Sequence, residues 1–361
     1  MNTEEEKLIE ALKTIEVPYL NSNLVDLESI KEIAFSDNTW TIELEFGFPI
    51  KTYKATVEKS IVEKLKNIGE HNLKINIKQK IEARSVQKGT KPLKEIKNVI
   101  AVASGKGGVG KSTTTANLAI ALEQEGAKVG VLDADIYGPS QTKMLGSQGK
   151  PDTRDGKKML PIISYNIQTI SIGNLVEEDT PMIWRGPMVT GALEQLLNET
   201  AWDNLDYLLV DLPPGTGDIQ LTLCQKIPVS GAVIVTTPQD IALLDAKKAL
   251  KMFEKVNVSV LGIIENMSMY KCSQCGHVEH IFGSDGGSTM AKQYGVDLLG
   301  KLPLDIDIRK NADSGRPTTA FQPDSEIAMD YREIGMKMTA KLSLKAKDHS
   351  SKFPNIVVQN T

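Results

Sequence analysis

Val99-Ile100-Ala101-Val102-Ala103-Ser104-Gly105-Lys106-Gly107-Gly108-Val109-Gly110-Lys111-Ser112 is the stretch on which the reading of this chain turns. An apolar run stops abruptly at a glycine-rich turn, and helix formers follow from Thr113 to Gln124. The order is strand, loop, helix, with Gly-x-x-x-x-Gly-Lys-Ser at the junction, which is the pattern of a phosphate-binding loop. Glycines let backbone N–H groups curl around an anion with no Cβ in the way. The helix that follows turns its positive end toward the same anion. In this reading Gly105, Lys106, Gly107, Gly108, Val109, Gly110, Lys111, Ser112 and Thr113 line the nucleotide. Lys111 reaches the terminal phosphates and Ser112 supplies an oxygen to Mg²⁺.

Two acidic segments fit around that loop. Asp133-Ala134-Asp135-Ile136-Tyr137-Gly138-Pro139-Ser140 follows a short apolar run. Polar residues at the carboxyl ends of strands in an open α/β sheet face the ligand crevice. Leu208-Leu209-Val210-Asp211 ends four apolar positions in a carboxylate and leads into Leu212-Pro213-Pro214-Gly215-Thr216-Gly217-Asp218. An acidic residue in that place holds Mg²⁺ through water. Asn266 closes another apolar run, and its amide can donate and accept at once, which suits an adenine edge.

From residue 97 onward short apolar runs alternate with helical patterns. The expected strands are 99–103, 128–132, 207–210, 232–236, 258–264 and 298–302, with helices at 241–256 and 289–294 among those between. Such alternation implies an α/β domain with a mostly parallel sheet covered on both faces. Ile327, Tyr331, Ile334, Met338 and Leu342 form one stripe of a last helix, which reads as core. Residues 1–81 read as a separate small α+β module. Thr3 and Glu6 suggest a capping box, Trp40, Ile42, Leu44 and Phe46 an alternating strand, and Val57, Ile61, Leu65 and Ile68 a helix stopped by Gly69. Residues 82–96 read as a solvated linker, 97–345 as the large domain and 346–361 as a disordered tail.

The 361 residues are 40% apolar, enough for a sizeable core, and the net charge of −4 offers no general attraction to nucleic acid. No apolar run is long enough to span a bilayer, and the acidic N-terminus is unlike a secretory signal, so a cytoplasmic protein is expected. There are three cysteines, Cys224, Cys272 and Cys275, too few for a disulfide framework. Cys272 and Cys275 form a C-x-x-C that can place two thiolates on one metal centre. Three readings of it are open: a Cys₂His₂ zinc site completed by His277 and His280, a redox dithiol, or half of a four-thiolate site shared by two copies across a two-fold axis.

The motif Gly-Lys-Gly-Gly-Val-Gly-Lys-Ser resembles that of the deviant Walker A ATPases, which include MinD, ParA, the nitrogenase iron protein and the Mrp family. In those families the lysine matching Lys106 crosses a dimer interface to the partner's nucleotide. The resemblance therefore implies an ATP-dependent homodimer in which Lys106 acts as a trans charge clamp, much like an arginine finger. Taken with Asp-Ala-Asp-Ile-Tyr-Gly-Pro-Ser, Asp-Leu-Pro-Pro-Gly-Thr-Gly-Asp and Glu-Asn-Met-Ser followed by C-x-x-C-Gly, the chain is similar to the Mrp/ApbC family of iron–sulfur cluster carriers over nearly all of 95–345. The small module resembles the N-terminal domain of many Mrp proteins, although the place where such domains often carry a thiol reads Phe46-Gly47-Phe48-Pro49.

What the resemblance implies is specific. Asp135, with Lys106 and Lys111, would serve hydrolysis by orienting the attacking water, with Asp133 in support. The turn 213–217 would act as a switch, and Asn266 and Pro303 would hold the base. Cys272 and Cys275 of two subunits would share a labile [4Fe–4S] cluster, received from an assembly scaffold and passed to apoproteins, without nucleic acid or membrane. Two rival functions remain open: a positioning ATPase like MinD or ParA, and an ATPase braced by structural zinc at the C-x-x-C.

Overall fold

The computed structural model describes residues 3–66, 72–87, 89–154, 156–175 and 186–348. The side chains of Thr3 and Arg154 lie outside the described set, as do Ile68, Gly69 and residues 349–361, so the capping box, the glycine stop and most of the tail fall there.

The large domain is built on an eight-stranded sheet. Its strands, in spatial order, are Ile162–Ser164, Ile167–Ser171, Val129–Asp133, Leu205–Asp211, Ile96–Ala103, Gly231–Thr236, Val260–Glu265 and Leu298–Lys301. Every neighbour pair is parallel except the first, which is antiparallel. Helices cover both faces, which is why the central strands are buried along nearly their whole length. One apolar core includes Leu193, Leu208, Leu250 and Phe253. The other includes Leu118, Tyr207, Tyr331 and Met338, so the stripe expected on the last helix is core. The α/β fold with its mostly parallel sheet and preceding small domain is as the sequence implied. The two strands at 162–171, at one end of the sheet, and the helix Gly186–Glu199 were not anticipated; the strands follow a polar, broken stretch around Asp152–Lys158 and are short.

The small module has a three-stranded sheet, Ile30–Ser36, Thr39–Phe46 and Asn72–Gln79, with the helices Thr3–Lys13 and Lys54–Leu65. Trp40, Ile42, Leu44 and Phe46 face inward on alternate positions. Val57, Ile61 and Leu65 bury one side of their helix. Met336 and Ala340 of the last helix join this core, so the module packs against the large domain.

That contact is polar as well as apolar. Glu125 ends the helix that starts at the phosphate loop and is fully buried. It accepts hydrogen bonds from the Thr52 backbone N–H (3.0 Å) and hydroxyl (2.8 Å), and lies 3.2 Å from Arg332 Nε. A carboxylate at a helix C-terminus opposes the helix dipole, and Arg332 offsets it.

The stretch 82–96 departs from a solvated tether. Arg84 and Gln87 are buried, and Gln87 Nε2 donates to the carbonyl oxygens of Cys224 (2.7 Å) and Ile227 (2.5 Å). The first residues of the expected tail are ordered as well. Ala346 and Asp348 hydrogen-bond Ser85 and Ala83, with Arg84 and Lys347 bridged antiparallel. Backbone groups that find partners there hold both segments in place despite their polar composition.

Candidate functional site: a phosphate loop beside three carboxylates

Strand register assembles the site. Val102 is level with Asp211, Asp211 with Asp133, and Asp133 with Ser171, so one row crosses four strands at their carboxyl ends. The phosphate loop leaves the sheet at that row and enters the helix Lys111–Gln124. Gly110 takes φ +84°, and a Cβ there would meet Asn266 Nδ2 at 2.2 Å. At Gly105 a Cβ would strike the Asp245 backbone at 2.2 Å, so the loop lies directly on the helix Asp240–Lys255. Only glycine fits either place.

Lys111 is folded onto Asp211. Its Nζ is 2.5 Å from Asp211 Oδ1, 3.3 Å from Ser112 Oγ and 3.8 Å from Asp135 Oδ2. Asp211 is fully buried, and its oxygens also accept from Thr115 Oγ1 (3.2 Å) and Gln141 Nε2 (2.9 Å). Asp133 accepts from the backbone N–H groups of Asp135, Ser140 and Gln141 and from Ser171 Oγ. Burial, and then the Asp211 charge, push the Asp133 carboxyl up to about 7, while the bonds from Gln141 and Ser171 and the Lys111 charge pull the other way. Burial also raises Asp135, with Lys111 opposing. Asp133 is thus the anchor of the turn 135–141, and Asp135 lies nearer to Lys111.

Lys106 is half-buried, and its carbonyl accepts from Ser104 Oγ at 2.9 Å. Gly215 donates its N–H to Ser104 O at 3.0 Å, tying the Pro213–Gly217 turn to the phosphate loop. Thr113 is half-buried with its hydroxyl 3.8 Å from Met144 Sδ. Asn266 Nδ2 donates to Val109 O at 2.8 Å. Leu302 and Leu304 run beside the Glu265–Tyr270 segment through the bonds Leu302 N to Glu265 O and Leu304 N to Met269 O, with half-buried Pro303 between them.

Cys272 and Cys275 sit in the loop of a small hairpin, Tyr270–Lys271 paired with Val278–Glu279. Cys275 is exposed and Cys272 partly so, whereas Cys224 is buried. The N–H groups of Cys275 and Gln274 lower the Cys272 thiol below its ordinary value, and burial pushes Cys224 up to about 12. His280 Nδ1 is 2.7 Å from the Ser268 carbonyl oxygen, and His277 Nε2 lies 3.7 Å from Glu279. Among the described residues no group of three or more His, Cys, Asp or Glu side chains gathers as a cation site. Cys272 and Cys275 therefore stand as a pair of sulfurs, a soft donor set suited to iron or zinc.

The oxygen donors near Lys111 suit a hard cation. Ser112 Oγ and Asp211 Oδ1 both lie within 3.3 Å of Lys111 Nζ, and the buried amide oxygen Oε1 of Gln141 has no hydrogen-bond partner. An all-oxygen set with an orphaned acceptor matches Mg²⁺ with its retained waters. Gln141, Thr115 and Ser171 were not singled out from sequence. Nothing in Ser140-Gln141-Thr142 marks a ligand site, because only the fold returns that segment to Asp211.

The comparisons with known proteins fit this geometry. The family described as NUBPL iron-transfer P-loop NTPase matches residues 95–339. The chain belongs to this family. A second family, described as iron-sulfur cluster assembly protein, matches residues 5–76. An "Iron-sulfur cluster carrier protein" of Salmonella typhimurium is 50% identical over 333 residues, spanning 92% of this chain and 90% of the relative. An "Iron-sulfur cluster transfer protein NUBPL" of Mus musculus is 50% identical over 254 residues, 70% of this chain and 80% of the relative. Among solved structures, a nucleotide-binding protein of Archaeoglobus fulgidus in complex with ADP aligns with a TM-score of 0.56 at 37% identity, covering 66% of this chain and 91% of that one. The Pyrococcus furiosus cell-division ATPase MinD aligns at 0.50 and 23% identity, 67% of this chain and 98% of that one, and shares the fold. The family membership accounts for the P-loop NTPase architecture of the large domain. Among the described residues no helix is long and apolar enough to cross a membrane.

Proposed function

We propose that this member of the NUBPL iron-transfer family is a cytoplasmic homodimer that carries a labile [4Fe–4S] cluster between Cys272 and Cys275 of both subunits. It delivers the cluster to apoproteins and uses ATP with slow hydrolysis to change shape. The observation that carries the reading is the shared footing of the two sites. Asn266 touches the phosphate loop through Val109, and the chain runs from Asn266 into the cysteine hairpin, which Leu304 and Ser268 hold in place.

Gly105 and residues Gly107 to Thr113 hold the phosphates, and Asn266 and Pro303 hold the base. Lys111 leaves Asp211 for the terminal phosphates, and Ser112 and Asp211 are the residues that hold Mg²⁺. When bound, the cation neutralises charge on the phosphates. Asp135 orients the attacking water and Asp133 keeps its turn in shape. Lys106 extends to the nucleotide of a second copy. Loss of the terminal phosphate frees the Pro213–Gly217 turn, which Gly215 couples to Ser104, and so reports hydrolysis. Two sulfurs per chain are half of what a cluster takes, and a two-fold axis supplies the rest.

Anaerobic reconstitution tests the reading. About one cluster per two chains is expected by iron and sulfide analysis, with a charge-transfer absorption band. Cys272→Ser and Cys275→Ser should each remove the band. Unchanged iron, sulfide and absorption in Cys272→Ser sinks the assignment, and stoichiometric zinc in anaerobically purified protein would favour a metal brace.

A further inference from the structure

Gln141 has no role in the function proposed so far, yet it is among the most constrained side chains near Asp211. It is 1% exposed. Its backbone N–H donates to Asp133 Oδ2 at 3.0 Å, and its Nε2 donates at 2.9 Å to both Ser112 O and Asp211 Oδ2. Both partners of Nε2 are pure acceptors, a carbonyl and a carboxylate, so the amide cannot be turned around. Oε1 must then face the remaining direction, and there it is buried with no hydrogen-bond partner. Leaving such an acceptor dry is costly, because it has lost its water partners and gained none. Its neighbourhood already holds Asp133, Asp135 and Asp211 against the single Lys111. A fourth carboxylate would add repulsion, whereas an amide supplies an oxygen without charge.

We propose that Gln141 is a positioning residue for the divalent cation: Nε2 fixes Asp211 and the Ser112 turn, and Oε1 accepts from a water of the cation's hydration shell. Mg²⁺ keeps several waters when bound through few protein oxygens. Partners of those waters set affinity without touching the metal. Gln141 is placed for this by the turn that Asp133 organises, so the cation site spans three separate sequence segments.

The inference rests on the proposed nucleotide site, and the test separates the two. Mn²⁺ as probe is titrated by electron paramagnetic resonance against the full-length protein with ADP, for wild type and Gln141→Met, which keeps length but loses both polar ends. ADP binding is measured in parallel with EDTA present. For the variant, Mn²⁺ affinity should fall by about tenfold or more, and by clearly more than metal-free ADP affinity, which loses only the Nε2 support of the Ser112 turn. Unchanged Mn²⁺ affinity overturns the proposal. So does an equal fall in both affinities, which would mark Gln141 as a packing residue. If wild type itself binds neither ADP nor Mn²⁺, the nucleotide site is what has failed. A Gln141→Leu variant with the same pair of measurements guards against a misfolded first variant, whose ADP binding in EDTA would vanish.

Discussion

Asn266 Nδ2 donates to the Val109 carbonyl oxygen across 2.8 Å, so the strand exit that leads to the cysteines leans on the phosphate loop. Gly110 beside it has φ +84° and no room for a Cβ against that amide. Gly110→Ala should therefore weaken ADP binding by at least about tenfold, because strain at such a position costs on the order of 1–3 kcal/mol. Titration with a fluorescent ADP analogue reads this directly. Binding of the variant at wild-type strength would mean that the contact is slack.

Asp133 gives a pH dependence with a definite sign. Its folded value of about 7 lies above its ordinary 3.8, so the folded state keeps the proton longer than the unfolded chain. Its contribution to stability is complete below about pH 4 and is lost as pH rises through about 7. In nucleotide-free protein the denaturation midpoint should fall between pH 5 and pH 8 more steeply than in Asp133→Asn. Identical slopes for the two proteins would show that Asp133 is ionised across the range.

The three thiols should separate by reactivity. Cys272, lowered by neighbouring N–H groups, forms thiolate at lower pH than an ordinary cysteine. Cys224, buried and raised to about 12, stays a thiol. Iodoacetamide at pH 7.5 followed by mass spectrometry should label Cys272 before Cys224, with Cys224 reacting only on denaturation. Early labelling of Cys224 in folded protein would contradict its burial.

Glu125 couples the small module to the helix that begins at the phosphate loop. Glu125→Ala strips Thr52 and Arg332 of their shared partner. The expected cost is about 3 kcal/mol, the low end for a broken buried pair, since Arg332 keeps part of its side chain in water. Limited proteolysis within 82–96 should speed up accordingly. A cleavage rate equal to wild type would mean that the other contacts, Met336, Ala340 and the Gln79 bond to Gly126 among them, suffice for docking.

Much of the large domain could be read from local pattern. The strand ending at Ala103, the glycine turn and the helix after Lys111 announce themselves, because phosphate binding needs backbone N–H groups and a helix end in immediate succession. Asp211 and Asp133 were legible for a related reason: each ends an apolar run, and in a parallel sheet such ends share one edge. The two short strands at 162–171 lacked that signal. Arg84 and Gln87 misled by composition, since a polar segment reads as solvated until its hydrogen-bond partners, here Lys345, Cys224 and Ile227, are seen.

The sequence by itself determined the phosphate loop, the acidic strand ends, the sulfur pair and the alternating α/β order, since each depends on residues close together in the chain. Tertiary structure alone decided that Asp133, Gln141, Asp211 and Lys111 converge, that Asn266 bears on Val109, and that Glu125 clasps Thr52. Those contacts join segments tens of positions apart, and it is strand register and helix packing, properties of the assembled sheet, that set their distances.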